Sequence, residues 1–373
     1  MNRFYSPFPS RAIGVSVATL LFVKSNGMLH SQNSRQVESE TPRHLQCALV
    51  FSTKTSDVTN RLAIANGSLY RSTTRGVVQA FRIKSGSSTS PWMQSKIALP
   101  VKCPWVISPD GSSLAIAASE PQGEDGLREV CPIKIWSLSN LKLRSKHLYS
   151  SSSNVCFSPG GTNLYALNAY GDPDKSLAVI DMRNGKQRFV RSKASAGDIA
   201  VVSTDGDLIA SQSLTDIGVY IGLLNLKKRT YKVEEVKGAY VNWKMLYKTT
   251  PESLFVSPKN GFVWVQNVAL PIRQDLSTGK AVFRLPSEQE RALWMDKRGR
   301  ILTINFKAKT FRLWNVQQGR VEAQSALVDV KLQATEEQLP ISQQTLTAAS
   351  TDGHFVAVSQ EGKLQVWRLN LSQ

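Results

Sequence analysis

Val106-Ile107-Ser108-Pro109-Asp110-Gly111 runs into Leu114-Ala115-Ile116-Ala117 and, after a longer connection, into Ile133-Lys134-Ile135-Trp136. Two short apolar runs parted by Asp-Gly read as antiparallel strands joined by a tight turn, because these residues reach positive φ at little cost. The same order recurs along the chain. Leu62-Ala63-Ile64 leads to Asn66-Gly67, with a third run from Val77 to Ile83. Cys156-Phe157-Ser158-Pro159-Gly160-Gly161 precedes Leu164 to Leu167 and then Leu177 to Asp181. Val202-Ser203-Thr204-Asp205-Gly206 precedes Leu208-Ile209-Ala210 and Gly218 to Ile221. Phe255 to Gly261 precedes Phe262 to Val265, and Leu293 to Gly299 precedes Ile301 to Ile304 and Phe311-Arg312-Leu313-Trp314. Ala349-Ser350-Thr351-Asp352-Gly353 precedes Phe355 to Val358 and Leu364-Gln365-Val366-Trp367.

The turn glycines 67, 111, 161, 206, 261, 299 and 353 mark repeating units at intervals of 38 to 55 residues. No helical periodicity competes with this pattern from His44 onward. Short strands at this spacing predict an all-β chain, a seven-bladed β-propeller of four-stranded antiparallel blades. The last copy ends at Leu369 with no fourth strand, and His44 to Phe51 reads as a lone strand ahead of the first copy. Pairing strand 44–51 with the last blade closes the ring and removes its open edges. The expected organisation is therefore a targeting segment at 1–27, a linker at 28–43 and a propeller at 44–373.

Ser108-Pro109-Asp110-Gly111 with Ile135-Trp136, Leu313-Trp314 and Val366-Trp367 resembles degenerate WD repeats. Leu164 to Ala169 through Val179-Ile180-Asp181 is similar to YVTN-type or lactonase-type propeller repeats. The resemblance spans 44–373 and implies a fold rather than a function. Trp136 is followed by Ser137, Trp314 by Asn315 and Trp367 by Arg368, so the Trp-Asp pair is absent and no functional residue carries over. The regular placement of these three tryptophans on third strands predicts core packing, and Trp92 after a polar run is the one to examine for exposure.

The 373 residues are 41% hydrophobic, enough for a large core, and the formal net charge is +18. Four bases and no acid lie in residues 1–37, leaving 42 bases against 28 acids in the remainder. Such a surface favours an anionic partner, or is simply a basic solvated one. Ala12 to Val23 is uncharged; at 1.5 Å per residue it spans about 18 Å, short of a hydrocarbon layer of about 30 Å. With Arg3 and Arg11 ahead of it, this run suits an export signal cleaved to leave a start near Met28, an organelle transit peptide being the alternative. No transmembrane span is expected, and the propeller is expected to be a monomer. Cys47, Cys103, Cys131 and Cys156 lack C-x-x-C spacing, which disfavours zinc and leaves at most a Cys103–Cys131 bridge.

No catalytic motif is present. His30, His44, His147 and His354 show no metal-ligand spacing, and there is no G-x-S-x-G elbow, P-loop or dinucleotide fingerprint. Asp181, Asp205 and Asp352 sit in turns or at strand ends, where Asp serves backbone hydrogen bonding. No cofactor or metal is expected. The expected role is a non-catalytic protein-interaction scaffold. The alternatives are a lactonase or hydrolase-type enzyme with a site in the central channel, and an RNA- or ribosome-associated propeller.

In an antiparallel blade the first-to-second and third-to-fourth turns emerge on one face. Those turns and their flanks carry Lys142, Arg144, Lys186, Arg188, Lys227, Lys228, Arg229, Lys259, Lys280, Lys297, Arg298, Arg300 and Arg320. Lys227, Lys228, Arg229, Lys297, Arg298 and Arg300 are the candidate binding residues of a basic face. The second-to-third loops carry Glu120, Glu124, Asp125, Glu129, Asp172 and Asp174, opposed by Arg128 and Lys175, which predicts an acidic corner on the opposite face.

Overall fold

A computed structural model describes the strands and short turns between residues 41 and 371. Residues 1–40, most of 84–104, 191–198, 236–253, 266–271, 329–344 and several shorter connections lie outside the described residues. Residues Pro42–Gln373 form one unit.

All described regular structure is β. Strands β1 (Arg43–Leu45) and β2 (Cys47–Lys54) precede a first sheet of β3 (Thr59–Ala65), β4 (Ser68–Thr73), β5 (Val78–Arg82) and β6 (Met93–Gln94). The second sheet contains β7 (Trp105–Ile107), β8 (Ser113–Ala117), β11 (Ile133–Ser137) and β12 (Leu143–His147). A two-stranded ribbon of β9 (Glu120–Gln122) and β10 (Arg128–Val130) interrupts it between β8 and β11. The third contains β13 (Ser153–Phe157), β14 (Asn163–Asn168), β15 (Leu177–Asp181) and β16 (Gln187–Val190). The fourth contains β17 (Ile199–Val202), β18 (Leu208–Thr215), β19 (Gly218–Asn225) and β20 (Thr230–Glu235). The fifth contains β21 (Leu254–Ser257), β22 (Phe262–Val265), β23 (Ile272–Asp275) and β24 (Ala281–Arg284). The sixth contains β25 (Glu290–Met295), β26 (Ile301–Asn305), β27 (Thr310–Asn315) and β28 (Arg320–Ser325), and β29 (Leu346–Ala349), β30 (Phe355–Gln360) and β31 (Lys363–Leu369) begin the closing sheet.

The N-terminal strand is where the expectation needs correction. Residues 44–51 are not one strand. β2 pairs antiparallel with β31, from Cys47 opposite Leu369 to Lys54 opposite Lys363, and completes the closing sheet. β1 instead pairs parallel with β28, His44 opposite Gln324, and makes the sixth sheet five-stranded. Six sheets are thus four-stranded, not seven. Leu45 explains the break: its side chain is buried in the cluster of Leu313, Val356, Trp367 and Leu369 between the sixth and closing sheets. The backbone must cross that junction, so the two strands part at Gln46.

The sheets hold together through apolar faces. Val78, Ala80 and Leu114 pack between the first and second sheets, Ile135, Ala166 and Ile180 between the second and third, and Leu177, Ile209 and Leu224 between the third and fourth. First strands neighbour one another from β29 through β3, β7, β13 and β17 to β21. In the fourth strands β12, β16 and β20 most of the described side chains are exposed. First strands therefore face the axis and fourth strands the rim, as in a β-propeller. Trp314 and Trp367 are buried as predicted, while Trp136 is half-buried; Trp92 lies outside the described residues.

Candidate docking face

The Ser-Pro-Asp-Gly turn is braced from within. Gly111 N–H donates to Ser108 O at 2.8 Å, and Gly111 takes φ +69°. The Ser108 hydroxyl donates to Asp110 Oδ1 at 2.5 Å and accepts from Ser113 N–H at 2.9 Å, while Ser112 N–H donates to Asp110 Oδ1 at 3.1 Å. Ser203 with Asp205, and Ser350 with Asp352, repeat this arrangement. In the third sheet Gly160 replaces the Asp, yet Ser158 Oγ still accepts from Asn163 N–H at 3.0 Å. In the sixth sheet Asp296 stands at the Ser position and accepts from Arg298 N–H and Arg300 N–H. Carboxylates in these turns satisfy backbone and hydroxyl donors. Partial burial acts to raise the Asp110 carboxyl, but the hydrogen bonds from Ser108 and Ser112 outweigh it and hold it below its ordinary value.

The turns of successive sheets touch. A Cβ on Gly161 would stand 3.5 Å from Pro109 Cδ, one on Gly206 3.5 Å from Pro159 Cδ, and one on Gly111 3.1 Å from Asn66 Cβ. Gly353 lies against the indole of Trp294, whose N–H donates to Thr351 O at 2.9 Å. The third-to-fourth turns sit at the same end. Leu138 N–H donates to Ser112 O, Met182 N–H to Thr162 O and Leu226 N–H to Asp207 O, at 2.8 to 2.9 Å. The result is one face of short turns, with first-to-second turns toward the axis and third-to-fourth turns toward the rim.

The inner turns of this face hold Asp110, Asp205, Asp207, Asp296 and Asp352 together with the exposed Arg298. The outer turns of the second, third and fourth sheets expose Lys142, then Arg183 and Lys186, then Lys228 and Arg229. None of these five side chains has a partner among the described residues.

The six candidate residues do not all belong to an open basic surface. Lys228, Arg229 and Arg298 are exposed. Lys227 is exposed but paired, Nζ to Asp207 Oδ2 at 2.6 Å, and that bond and charge raise its pKa. Arg300 needs correction: with its side chain 17% exposed, it pairs with Asp296 at 2.7 Å and Glu322 at 3.7 Å and locks its own sheet. Lys297 lies outside the described residues, as do Lys259 and Lys280. The 227–229 turn belongs to the fourth sheet and Arg298 to the sixth. The opposite face is not purely acidic either: Arg75, Lys307 and Lys309 are exposed there, Arg75 at 3.4 Å from Asp57. The side chains of the expected acidic corner lie outside the described residues. Arg183 was missed by the sequence reading, although Asn184-Gly185 beside it is a turn signal of the same kind as Asn66-Gly67.

Between the second and third sheets, the outer turns border a cleft of 320 Å³. Ile135, Ile180 and Met182 line it, with Arg144 and Arg183 at its sides. Arg144 spans the two sheets, donating to Ser113 Oγ at 3.2 Å and to Met182 O at 3.3 Å. A second cavity of 470 Å³ lies at the closing sheet beside Cys47, Asp352, His354 and Arg368.

Among the described residues no group of three His, Cys, Asp or Glu is placed to hold a metal ion, and no helix is long and apolar enough to cross a membrane. Asp181 accepts from Arg183 N–H at 2.8 Å and Asn184 Nδ2 at 3.2 Å, the structural use expected of it. Cys47 and Cys156 are free thiols, and burial pushes both up to about 12. Cys103 and Cys131 lie outside the described residues.

No protein-family model matches the sequence, and no curated protein does. Solved structures do. A chain of a mitotic checkpoint complex superposes with TM-score 0.56 at 13% identity, covering 93% of this chain and 99% of that one. A chain of Kuenenia stuttgartiensis hydrazine synthase gives TM-score 0.55 at 11% identity, covering 85% and 97%. At these identities the likeness is one of fold: the chain is an all-β propeller.

Proposed function

We propose that this chain is a non-catalytic interaction scaffold, a ring of seven units with the five-stranded sheet as the sixth, that docks a protein partner on its turn face. The observation that carries the reading is the stacking of the first-to-second turns from the first sheet to the fourth. Several turns of this face are cross-braced and stacked on their neighbours, and Lys142, Arg183, Lys186, Lys228 and Arg229 on the outer turns have no carboxylate partner among the described residues. A fixed surface loses little entropy when a partner binds, and unpaired charge speeds the encounter. The checkpoint-complex neighbour is compatible with such a role through its fold alone.

Affinity purification from the native host tests this reading. The wild-type chain should recover a partner that a Lys228→Glu/Arg229→Glu/Arg183→Glu variant of equal stability loses. Equal recovery by both removes the turn face from the interaction. Export belongs to the same proposal: N-terminal sequencing should return a start near Met28, and an intact Met1 argues against cleavage.

A further inference from the structure

We propose that the Asn66-Gly67 turn is a self-modifying site, in which the Asn66 side-chain amide is lost through a cyclic imide to leave aspartate and isoaspartate in the turn face. This goes beyond the docking reading above and does not depend on it. The reaction needs only water. The backbone nitrogen of Gly67 attacks Asn66 Cγ, so an N–Cγ bond forms, the Cγ–Nδ2 bond breaks, and the Gly67 amide proton leaves with Nδ2 as ammonia. Water then opens the five-membered imide at Cγ, which gives aspartate, or at the Asn66 backbone carbonyl, which gives isoaspartate. Nothing is oxidised or reduced.

In a folded chain such a reaction is limited by access to the amide nitrogen and by the freedom of the side chain to swing onto it. Glycine offers the access, because no Cβ shields its nitrogen. Two Asn-Gly pairs lie among the described residues, and their surroundings differ. Asn66 and Gly67 are both exposed. They form a tight turn between paired Ala65 and Ser68, with φ +45° and +64°. Neither the Asn66 amide nor the Gly67 N–H has a hydrogen-bond partner among the described residues. Beyond the chain neighbours, no atom lies within 4 Å of where a Cβ on Gly67 would stand. Asn184-Gly185 is instead held at three points. Asn184 Nδ2 donates to Asp181 Oδ2 at 3.2 Å, its Oδ1 accepts from Lys186 N–H at 2.8 Å, and the Gly185 N–H that would attack donates to Asp181 O at 2.8 Å.

The sister turns show what conversion does. Asp110, Asp205 and Asp352 precede the turn glycines of the second, fourth and closing sheets, each accepting a backbone N–H. Aspartate at position 66 gives the first sheet the same Asp-Gly pair. Isoaspartate adds a methylene to the main chain of a two-residue turn that stacks on Gly111.

Incubating the folded full chain in mildly alkaline buffer and mapping its peptides by mass spectrometry tests the proposal, with enzymatic methyl transfer to isoaspartate as a second readout. Asn66 should convert at least about tenfold faster than Asn184, because breaking the hydrogen bonds that hold Asn184 adds to its barrier. In urea both pairs are released, and the ratio should fall toward one. Asn66→Gly keeps a residue suited to positive φ. It should abolish isoaspartate from this turn without changing the rate at Asn184. Equal rates in the folded chain overturn the proposal, as does an Asn66 that converts in urea and stays intact when folded. A tenfold ratio that persists in urea overturns it too, since the flanking sequence and not the fold would then set the rate.

Discussion

Trp314 donates its indole N–H to Glu290 Oε1 at 2.7 Å, joining the first and third strands of the sixth sheet across the second. Glu290 is fully buried, and its two oxygens also accept from the Thr303 hydroxyl at 2.6 Å, Asn305 Nδ2 at 3.0 Å and Arg312 at 3.2 Å. The sequence suggested a Trp-bearing third strand; a buried carboxylate from the first strand is its hydrogen-bond partner here.

Removing this acceptor strands several buried donors and the Arg312 guanidinium. Glu290→Ala should cost about 3–5 kcal/mol, the usual loss when one partner of a buried pair is removed. Glu290→Gln keeps two polar atoms and should cost less. Urea unfolding of both variants measures the difference, and equal midpoints would show that the network contributes little.

Two turn glycines at the same repeat position should behave differently. Gly67 takes φ +64° with open space around it, so Gly67→Ala should cost only the left-handed strain of about 1–2 kcal/mol. Gly353 takes φ +75°, and an added Cβ would meet the Trp294 ring at 2.6 to 2.8 Å. Gly353→Ala should therefore cost clearly more and perturb the junction of the sixth and closing sheets. Thermal midpoints of the two variants decide this.

His147 should make stability depend on pH. Burial favours its neutral form and lowers its pKa from 6.5, with Gln187 Oε1 at 3.2 Å acting weakly in the other direction. The unfolded chain therefore binds the proton more readily. This contribution is complete above pH 6.5 and declines as pH falls through the lowered folded value. Denaturant midpoints between pH 7.5 and 5 should fall less in His147→Gln than in wild type; parallel curves would contradict this.

Closure by β2 predicts a sharp boundary in truncations. Starting the chain at Pro42 should leave cooperative unfolding intact. Starting it at Thr55 removes β2, uncovers the edge of β31 and takes away the buried Phe51. That chain should fail to unfold cooperatively by circular dichroism. A cooperative transition in the shorter chain would show that the closing sheet does not need β2.

The repeat was legible because its turns obey local chemistry. Gly67, Gly111, Gly161, Gly206, Gly299 and Gly353 all take positive φ, at the positions where Asn-Gly, Asp-Gly and related pairs placed the reversals. The split of 44–51 was not legible, since it depends on Leu45 meeting a core assembled from the other end of the chain. The candidate site was legible in part. Arg229 and Arg298 are exposed in turns as their setting implied, but charge type alone does not reveal partners brought close by folding. Arg300 looked like Arg298 in sequence, and its pairing with Asp296 in its own turn and with Glu322 from β28 separates them. The cleft between Ile135 and Ile180 arises from two residues 45 positions apart on successive repeats and has no local signature.

Site-specific photo-cross-linking in the native host tests the central claim most directly. A cross-linker at Asn184 sits on the outer turn of the third sheet, and one at Lys307 sits on the opposite face. The account predicts a discrete cross-linked partner from Asn184 that disappears with Lys142→Glu/Lys186→Glu, and none from Lys307. A partner captured from Lys307 and not from Asn184 would contradict it.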